Sequence, residues 1–271
     1  MSSLEGNMRR RVGQQGLVAL ADELSERDMA IVKSVLEHRF MTARQIEAWH
    51  FTDHVSQVSA ARVCRRVLER LTHLRVLRRL ERRIGGVRAG SAFYIYGIGP
   101  IGDRLLPSES RRRGREPSEL FLDHTLGIVD ARLQLITADR LGTFELIAVE
   151  TEPECWRRFD GSGGSREILR PDLFAVTASD ELEHCWFLEF DRATASIPAV
   201  VNKSRQYAAY FRSGVEQQRL GTFPLVVWAT ISNGRAARIR KAIAATHSLP
   251  DALFRVCVVE ELAKLVAGGG S

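Results

Sequence analysis

The sequence predicts a mixed α/β chain in two parts: a helical module closed by a β-hairpin, then a domain of central strands flanked by helices. Three observations predict it. Apolar residues recur at helical spacing through residues 25–73 and give way to two short alternating runs. From residue 119 onward, helical stretches alternate with five compact apolar runs, at 144–149, 173–177, 185–190, 224–231 and 253–259. Charge divides the chain at the same place. Residues 1–117 carry 22 Arg or Lys against 13 Asp or Glu, a net +9, and the remaining residues carry 17 against 20, a net −3.

Composition sets the limits. At 271 residues, 45% of them apolar, the chain has room for two cores. No apolar stretch approaches the roughly 20 residues of a membrane span. The opening Met1-Ser2-Ser3-Leu4-Glu5 lacks the basic-then-apolar order of a secretory leader. Cys64, Cys155, Cys185 and Cys257 are far apart. That spacing argues against zinc and a disulfide framework, and for reduced thiols in the cytoplasm. Arginine outnumbers lysine 35 to 4. Genome composition alone can produce that bias, so the charge carries the argument rather than the arginine identity.

Residues 1–22 read as a flexible arm, polar and interrupted by glycine. Ser25 with Asp28 makes an S-x-x-D capping pattern, and Met29, Ile31, Val32, Val35 and Leu36 mark an amphipathic helix to about His38. Thr42 caps a short second helix with Ile46 and Trp49 facing inward. A third helix runs from about residue 56 to 73, its apolar stripe Val63, Val67, Leu68 and Leu71. Residues 76–80 and 93–96 are strand-like and flank a basic loop at 82–90 that contains Gly85-Gly86. Three helices and a two-stranded wing over residues 23–102 make a winged helix-turn-helix.

Between residues 62 and 88 stand ten arginines and two acids. Arg62, Arg65, Arg66 and Arg70 on the third helix, with Arg78, Arg79, Arg82, Arg83 and Arg88 on the wing, are the candidate contacts to double-stranded DNA. The helix would enter the major groove and the loop would meet phosphate or the minor groove. A solvated basic face, or a winged helix that binds protein, fits the same residues.

Residues 103–118, with Arg111-Arg112-Arg113-Gly114-Arg115, read as a basic linker, either adding phosphate contacts or serving only as a tether. A helix at 119–139 opens the second domain. Residues 150–169 read as a polar loop. Helices at 198–212, 235–246 and 260–266 separate or follow the later strands. The order α-β-β-β-α-β-α-β over residues 119–267 fits a mixed sheet covered on both faces. Gly268-Gly269-Gly270-Ser271 resembles an expression linker.

The candidate site lies between residues 170 and 207. Asp172 opens one apolar run, and Glu189-Phe190-Asp191 ends the next. Residues i and i+2 of a strand share a face, so Glu189 and Asp191 can converge on one ion. With Asp172 on a neighbouring strand they form an all-oxygen ligand set suited to Mg²⁺ or Mn²⁺. Such a site serves metal-assisted hydrolysis of a phosphodiester. Lys203 follows, with Tyr207 one helical turn beyond it. For any one acid in isolation a strand-end or surface ion-pair role is the better reading, and it is the three acids together with Lys203 that point to a site. There is no Walker A loop, no GxGxxG after a strand, no GxSxG and no HExxH.

Pro171-Asp172 followed by Glu189-Phe190-Asp191 resembles the PD-(D/E)xK nuclease superfamily over roughly residues 119–260. The whole chain resembles the replication-relaxation proteins of actinobacterial plasmids and integrative elements. Leu169-Arg170-Pro171-Asp172, Phe187-Leu188-Glu189-Phe190-Asp191-Arg192 and Lys203 with Tyr207 carry that match. The resemblance implies catalytic roles for Asp172, Glu189, Asp191, Lys203 and Tyr207. The superfamily places lysine two residues after the glutamate, where this chain has Asp191. Lys203 is the expected replacement from the following helix, and Tyr207 is a candidate phosphate contact. The resemblance also draws attention to His124, although a lone histidine beside apolar residues more often packs or caps.

Three functions compete. The first is a DNA-binding protein of a mobile genetic element whose metal-dependent endonuclease-like domain nicks or cuts DNA. The second is a nuclease-like fold without catalysis that serves as a DNA-binding or protein-docking platform, for instance an accessory to a relaxase or replication initiator. The third is a winged-helix transcription regulator with a sensing domain, which the acidic cluster disfavours because effector pockets are mainly apolar.

Overall fold

The computed structural model describes residues 13–54, 56–83, 94–106, 117–161, 163–179 and 182–270. The chain divides into two compact units, Met1–Glu116 and Pro117–Ser271.

The first unit contains helices α1 (Gln14–Glu23) and α2 (Glu26–His38), strand β1 (Phe40–Thr42), and helices α3 (Ala43–His50) and α4 (Gln57–His73). Strands β2 (Leu77–Arg83) and β3 (Tyr94–Ile98) and a helical turn α5 (Gly102–Leu105) follow. Helix starts are fixed locally. Ser25 with Asp28, Thr42 with Gln45 and Ser56 with Ser59 each form a capping box. Such caps contribute about 1 kcal/mol apiece. Helix α4 buries Ala60, Cys64, Leu68 and Leu71, so its inward stripe is rotated from the expected one, and Val63 and Val67 are only half-buried. The sheet order β1-β3-β2 is antiparallel and includes a strand, β1, that the sequence did not announce. Most of the wing loop, residues 84–93, lies outside the described residues.

Two expected boundaries differ. The arm at 1–22 contains most of α1, which buries Leu17. The linker at 103–118 begins inside α5, whose Gly102 is buried; residues 107–116, with the arginine run, lie outside the described residues.

The second unit opens with α6 (Glu119–Arg140) and β4 (Glu145–Glu150). The hairpin of β5 (Arg157–Asp160) and β6 (Arg166–Leu169) comes next, then β7 (Leu173–Ser179), β8 (Leu182–Asp191), α7 (Ile197–Ser213) and α8 (Val215–Leu220). Strand β9 (Leu225–Thr230), α9 (Asn233–Ala244), β10 (Phe254–Val258) and α10 (Leu262–Ala267) complete it. The five-stranded sheet runs β10-β9-β8-β7-β4. Strands β4, β7 and β8 pair antiparallel, and β8, β9 and β10 parallel. The parallel steps need helical crossovers, which α7 and α9 supply. The fold class is the mixed α/β one that the sequence predicts.

Alternation along β8 divides the core. Phe187 joins Phe174, Tyr207, Trp228 and Ile239 on one face, and Trp186, Leu188 and Phe190 join Leu135, Ala175 and Val227 on the other. Gly127 on α6 abuts Phe190 so closely that a Cβ there would lie 1.7 Å from a ring carbon. Only glycine lets α6 settle on β8 at this point.

The segment at 150–169, expected as a loop, holds the β5–β6 hairpin. Arg157 anchors it: Nη2 donates to Glu150 Oε2 at 2.8 Å and Nε to the buried Glu216 Oε1 at 3.3 Å. The Tyr210 hydroxyl also donates to Glu216. The glycine tail is part of the fold rather than an appendage. Gly270 is buried against Leu225 and Trp186, and its carbonyl accepts from Arg255.

Candidate functional site

Asp172 stands immediately before β7, where the Leu173–Leu188 register brings it beside the end of β8. The Phe190 N–H donates to its Oδ2 at 2.7 Å, and His124 Nε2 lies 3.2 Å from its Oδ1. His124 sits one turn before Gly127 on α6, so the close approach at Gly127 carries the imidazole to Asp172. Glu189 lies on β8 with both oxygens engaged. Lys203 Nζ is 2.6 Å from Oε2, and the Tyr207 hydroxyl donates to Oε1 at 2.5 Å. Lys203 and Tyr207 are one turn apart on α7, on the face that covers this side of the sheet.

Both carboxylates are buried, at 7% and 3% exposure for Asp172 and Glu189. Burial pushes the Glu189 carboxyl up to about 7 against the pull of Lys203, and the charge of Asp172 adds to the rise. Burial also works against the Asp172 anion, but His124, Lys203 and the Phe190 N–H hold its carboxyl below the usual range. The bond to Asp172 raises the His124 imidazole despite burial. Burial lowers the Lys203 ammonium, but Glu189 and Asp172 together keep it above its ordinary value.

Two expected site residues take other roles. Asp191 shares the Glu189 face but belongs to a buried ion pair: Arg235 Nε donates to Oδ2 at 2.7 Å and Nη2 to Oδ1 at 3.0 Å. The Thr230 hydroxyl lies 3.2 Å from Oδ2 as well. The expected metal ligand is therefore a structural anchor. Tyr207 is fully buried with its hydroxyl on Glu189, so it supports the site from behind and does not reach a phosphate. Arg192 points the other way, 3.6 Å from Asp123 on α6.

The arginines of the first unit also divide. Arg62, Arg65 and Arg66 are exposed on α4 and form no ion pair among the described residues. Arg70 does not belong with them, because its Nη2 grips both oxygens of the buried Asp28 at 2.6 and 2.7 Å. Arg78 is half-buried near the Phe40 ring, and Arg79 lies 4.4 Å from the Tyr94 ring centroid. Arg82 and Arg83 lie in β2, their side chains outside the described residues, as is all of Arg88.

The sequence gives His124 little weight and marks Arg235 only as the start of a helix. The signal for His124 was Gly127 one turn on, a glycine inside a long helix. No local signal marks Arg235, whose partner is 44 residues away.

Asp172 and Glu189 supply hard oxygen donors, the chemistry that fits Mg²⁺ or Mn²⁺, and Mg²⁺ is commonly held by one or two carboxylates plus substrate phosphate. The three-carboxylate set expected from the sequence is not formed. Among the described residues, no three or more His, Cys, Asp or Glu side chains are grouped to hold a metal ion.

A family model described as replication-relaxation matches residues 32–226, from α2 into β9. The chain belongs to the replication-relaxation family. The match takes in parts of both units and includes Asp172, Glu189, Lys203 and Tyr207 but not Arg235. No curated protein matches the chain. Among solved structures the restriction endonuclease FokI is similar at 11% identity and a TM-score of 0.32, covering 90% of this chain and 45% of that one. The chain thus spans less than half the length of that structure. No helix among the described residues is long and apolar enough to cross a membrane.

Proposed function

We propose that this replication-relaxation chain binds duplex DNA through its first unit and nicks or cleaves a DNA strand at the Asp172–Glu189–Lys203 site of its second. The observation that carries the reading is the 2.6 Å contact between Lys203 and Glu189. It sets a cation from a helix beside the two carboxylates, and so supplies the charge missing from the strand position of Asp191.

Asp172 and Glu189 would hold Mg²⁺ or Mn²⁺, which when bound supplies a Lewis acid for the phosphoryl oxygens and a more acidic water. The chain's own residues do the rest. The Phe190 N–H and His124 fix the direction of the Asp172 carboxylate. Tyr207 fixes Glu189 from the buried side. Lys203, with its side chain 29% exposed, offers a positive group that a scissile phosphate can reach. In the first unit, Arg62, Arg65 and Arg66 present unpaired guanidiniums along one helix face, suited to phosphate and groove contacts.

One observation favours a second reading, a nuclease-like domain that serves as an accessory without cleaving. Both Glu189 oxygens already carry hydrogen bonds, which a metal ion would have to share or displace. Supercoiled plasmid incubated with the chain and Mg²⁺ or Mn²⁺ decides between them. Nicking by the wild type that Asp172→Ala abolishes supports the enzyme. Tight binding of the same plasmid without nicking, across both metals, supports the accessory.

A further inference from the structure

The β5–β6 hairpin has no part in the chemistry just described, yet it leads directly into it. Its register pairs Arg157 with Leu169, Arg158 with Ile168, Phe159 with Glu167 and Asp160 with Arg166. Alternate residues face opposite ways. Phe159 and Leu169 are buried in the same apolar layer as Tyr207. The opposite face, with Arg158, Asp160, Arg166 and Ile168, is exposed. Arg170 continues that face just beyond β6 and is exposed too, with its guanidinium 4.8 Å from the Trp156 ring centroid. Arg158, Arg166 and Arg170 form no ion pair among the described residues, and Asp160 is the one acid among the exposed positions of this face.

Connectivity brings this face to the site. Arg170 precedes Asp172 by two residues, at most about 7 Å of extended chain. The Cys155 thiol donates to the Pro171 carbonyl at 3.0 Å, which pins the base of the hairpin to the turn before Asp172. Helix α7, the carrier of Lys203, packs on both strands of the hairpin. Along β6 and its continuation, Arg166 to Arg170 spans about 13 Å of strand, the axial rise of about four nucleotides of one DNA strand.

The chemistry selects the ligand. Unpaired guanidiniums in a row bind phosphate, and each can do so through two parallel N–H bonds. An arginine laid against an indole keeps its in-plane N–H groups free while losing rotamer freedom beforehand. We propose that the outward face of the β5–β6 hairpin, through Arg158, Arg166 and Arg170, is a phosphate-binding track that guides a DNA strand to the Asp172–Glu189–Lys203 site. The track rests on the reading of that site as one that acts on DNA.

The test uses the full chain and the salt dependence of its affinity for a duplex DNA fragment. Arg158→Gln, Arg166→Gln and Arg170→Gln are combined in one variant. All three side chains are exposed, so its thermal midpoint should match the wild type. A control variant, Arg212→Gln with Arg238→Gln and Lys241→Gln, removes the same charge from exposed positions elsewhere on the second unit. The hairpin variant should lower the slope of log affinity against log salt by about 2.7, at about 0.9 for each phosphate no longer neutralised, and the control should leave it near the wild-type value. A wild-type slope in the hairpin variant, an equal drop in the control, or a wild type that binds no DNA overturns the track. The site reading fails separately. Loss of slope in the hairpin variant without any nicking by the wild type keeps the track and removes the nuclease, whereas a wild-type slope with Asp172-dependent nicking removes only the track.

Discussion

Arg235 holds both oxygens of Asp191, and its Nη2 also donates to the Ala195 carbonyl at 2.7 Å. One guanidinium therefore ties the end of β8, the segment entering α7 and the first turn of α9. Because α7 carries Lys203, the clamp also fixes where that ammonium sits. The side chains of Arg235 and Asp191 are 5% and 2% exposed. Removing one partner of such a pair leaves the other charge buried and uncompensated, at a cost of about 3–5 kcal/mol. Asp191→Ala should lose that much stability in denaturant unfolding. Asp191→Asn, if it folds, should still show a rise in thermal midpoint with Mn²⁺, since Asp191 is not a ligand. Loss of the metal response in Asp191→Asn, with stability intact, would restore it to the metal site.

Arg70 and Arg65 make opposite predictions from the same helix. Arg70 completes the Asp28 capping box of α2, and hydrogen bonds to charged groups are worth about 1.5–3 kcal/mol. Arg70→Ala should lower stability by that amount and leave DNA affinity within a few-fold. Arg65→Ala with Arg66→Ala should leave stability unchanged and weaken binding steeply. Burial pushes the Asp28 carboxyl up, but Arg70 and Ser25 together hold it below its usual 3.8. Its stabilisation is thus present above pH 3.8 and lost as pH falls through the lower folded value. Acid titration of Arg70→Ala should lack that loss; an identical acid limb in both proteins would refute the clamp.

Much of this was legible in the sequence, for local reasons. The caps at Ser25 and Thr42, the five apolar runs of the sheet and the parity of Glu189 and Asp191 depend on neighbours within a few residues. What was not legible depends on distant partners. Parity placed Asp191 on the right face but could not say that Arg235, from another helix, would reach it before any ion. The arginine count around residue 70 could not reveal a buried Asp28 42 residues earlier. The β5–β6 hairpin has the sequence pattern of a loop because its strands are four residues each and strongly charged. Arg157 is buried there only because Glu150 and Glu216 receive it. The glycine tail read as an appendage because glycine carries no apolar pattern, yet it packs through its backbone.

Glu189 gives the site a pH signature before any metal is added. Its folded pKa, about 7, lies above its ordinary 4.5, so between these values the folded state keeps a proton that the unfolded chain releases. Stability should therefore fall as pH rises through this window, by at most about 1.4 kcal/mol per unit, and then level off. Asp172, held low, loses its contribution only below 3.8, and His124, held high, only above 6.5. Between about 4.5 and 6.5 the slope belongs to Glu189, and Glu189→Gln should flatten it. Above pH 7, Mg²⁺ or Mn²⁺ should raise the thermal midpoint of the wild type by mass action and not that of Asp172→Ala. Equal midpoints with and without millimolar metal in both proteins would rule out a cation held by this pair.

Cleavage should depend on Lys203 more than on any other lysine. Lys33, Lys241 and Lys264 are the others, and only Lys203 touches the site. Arg192, closer in sequence, turns to Asp123 on the opposite face. Two buried arginines are committed elsewhere, Arg235 to Asp191 and Arg157 to Glu150 and Glu216. That leaves Lys203 to stabilise charge developing on a phosphate at Asp172 and Glu189. Lys203→Ala should reduce plasmid nicking about a hundredfold or more, the scale of removing one preorganised electrostatic interaction, with DNA affinity within a few-fold. Lys203→Arg should recover only part of the rate, because a guanidinium is bulkier than the ammonium that fits 2.6 Å from Glu189. Wild-type nicking by Lys203→Ala alongside an inactive Asp172→Ala would show that the lysine only neutralises Glu189 and takes no part in the chemistry.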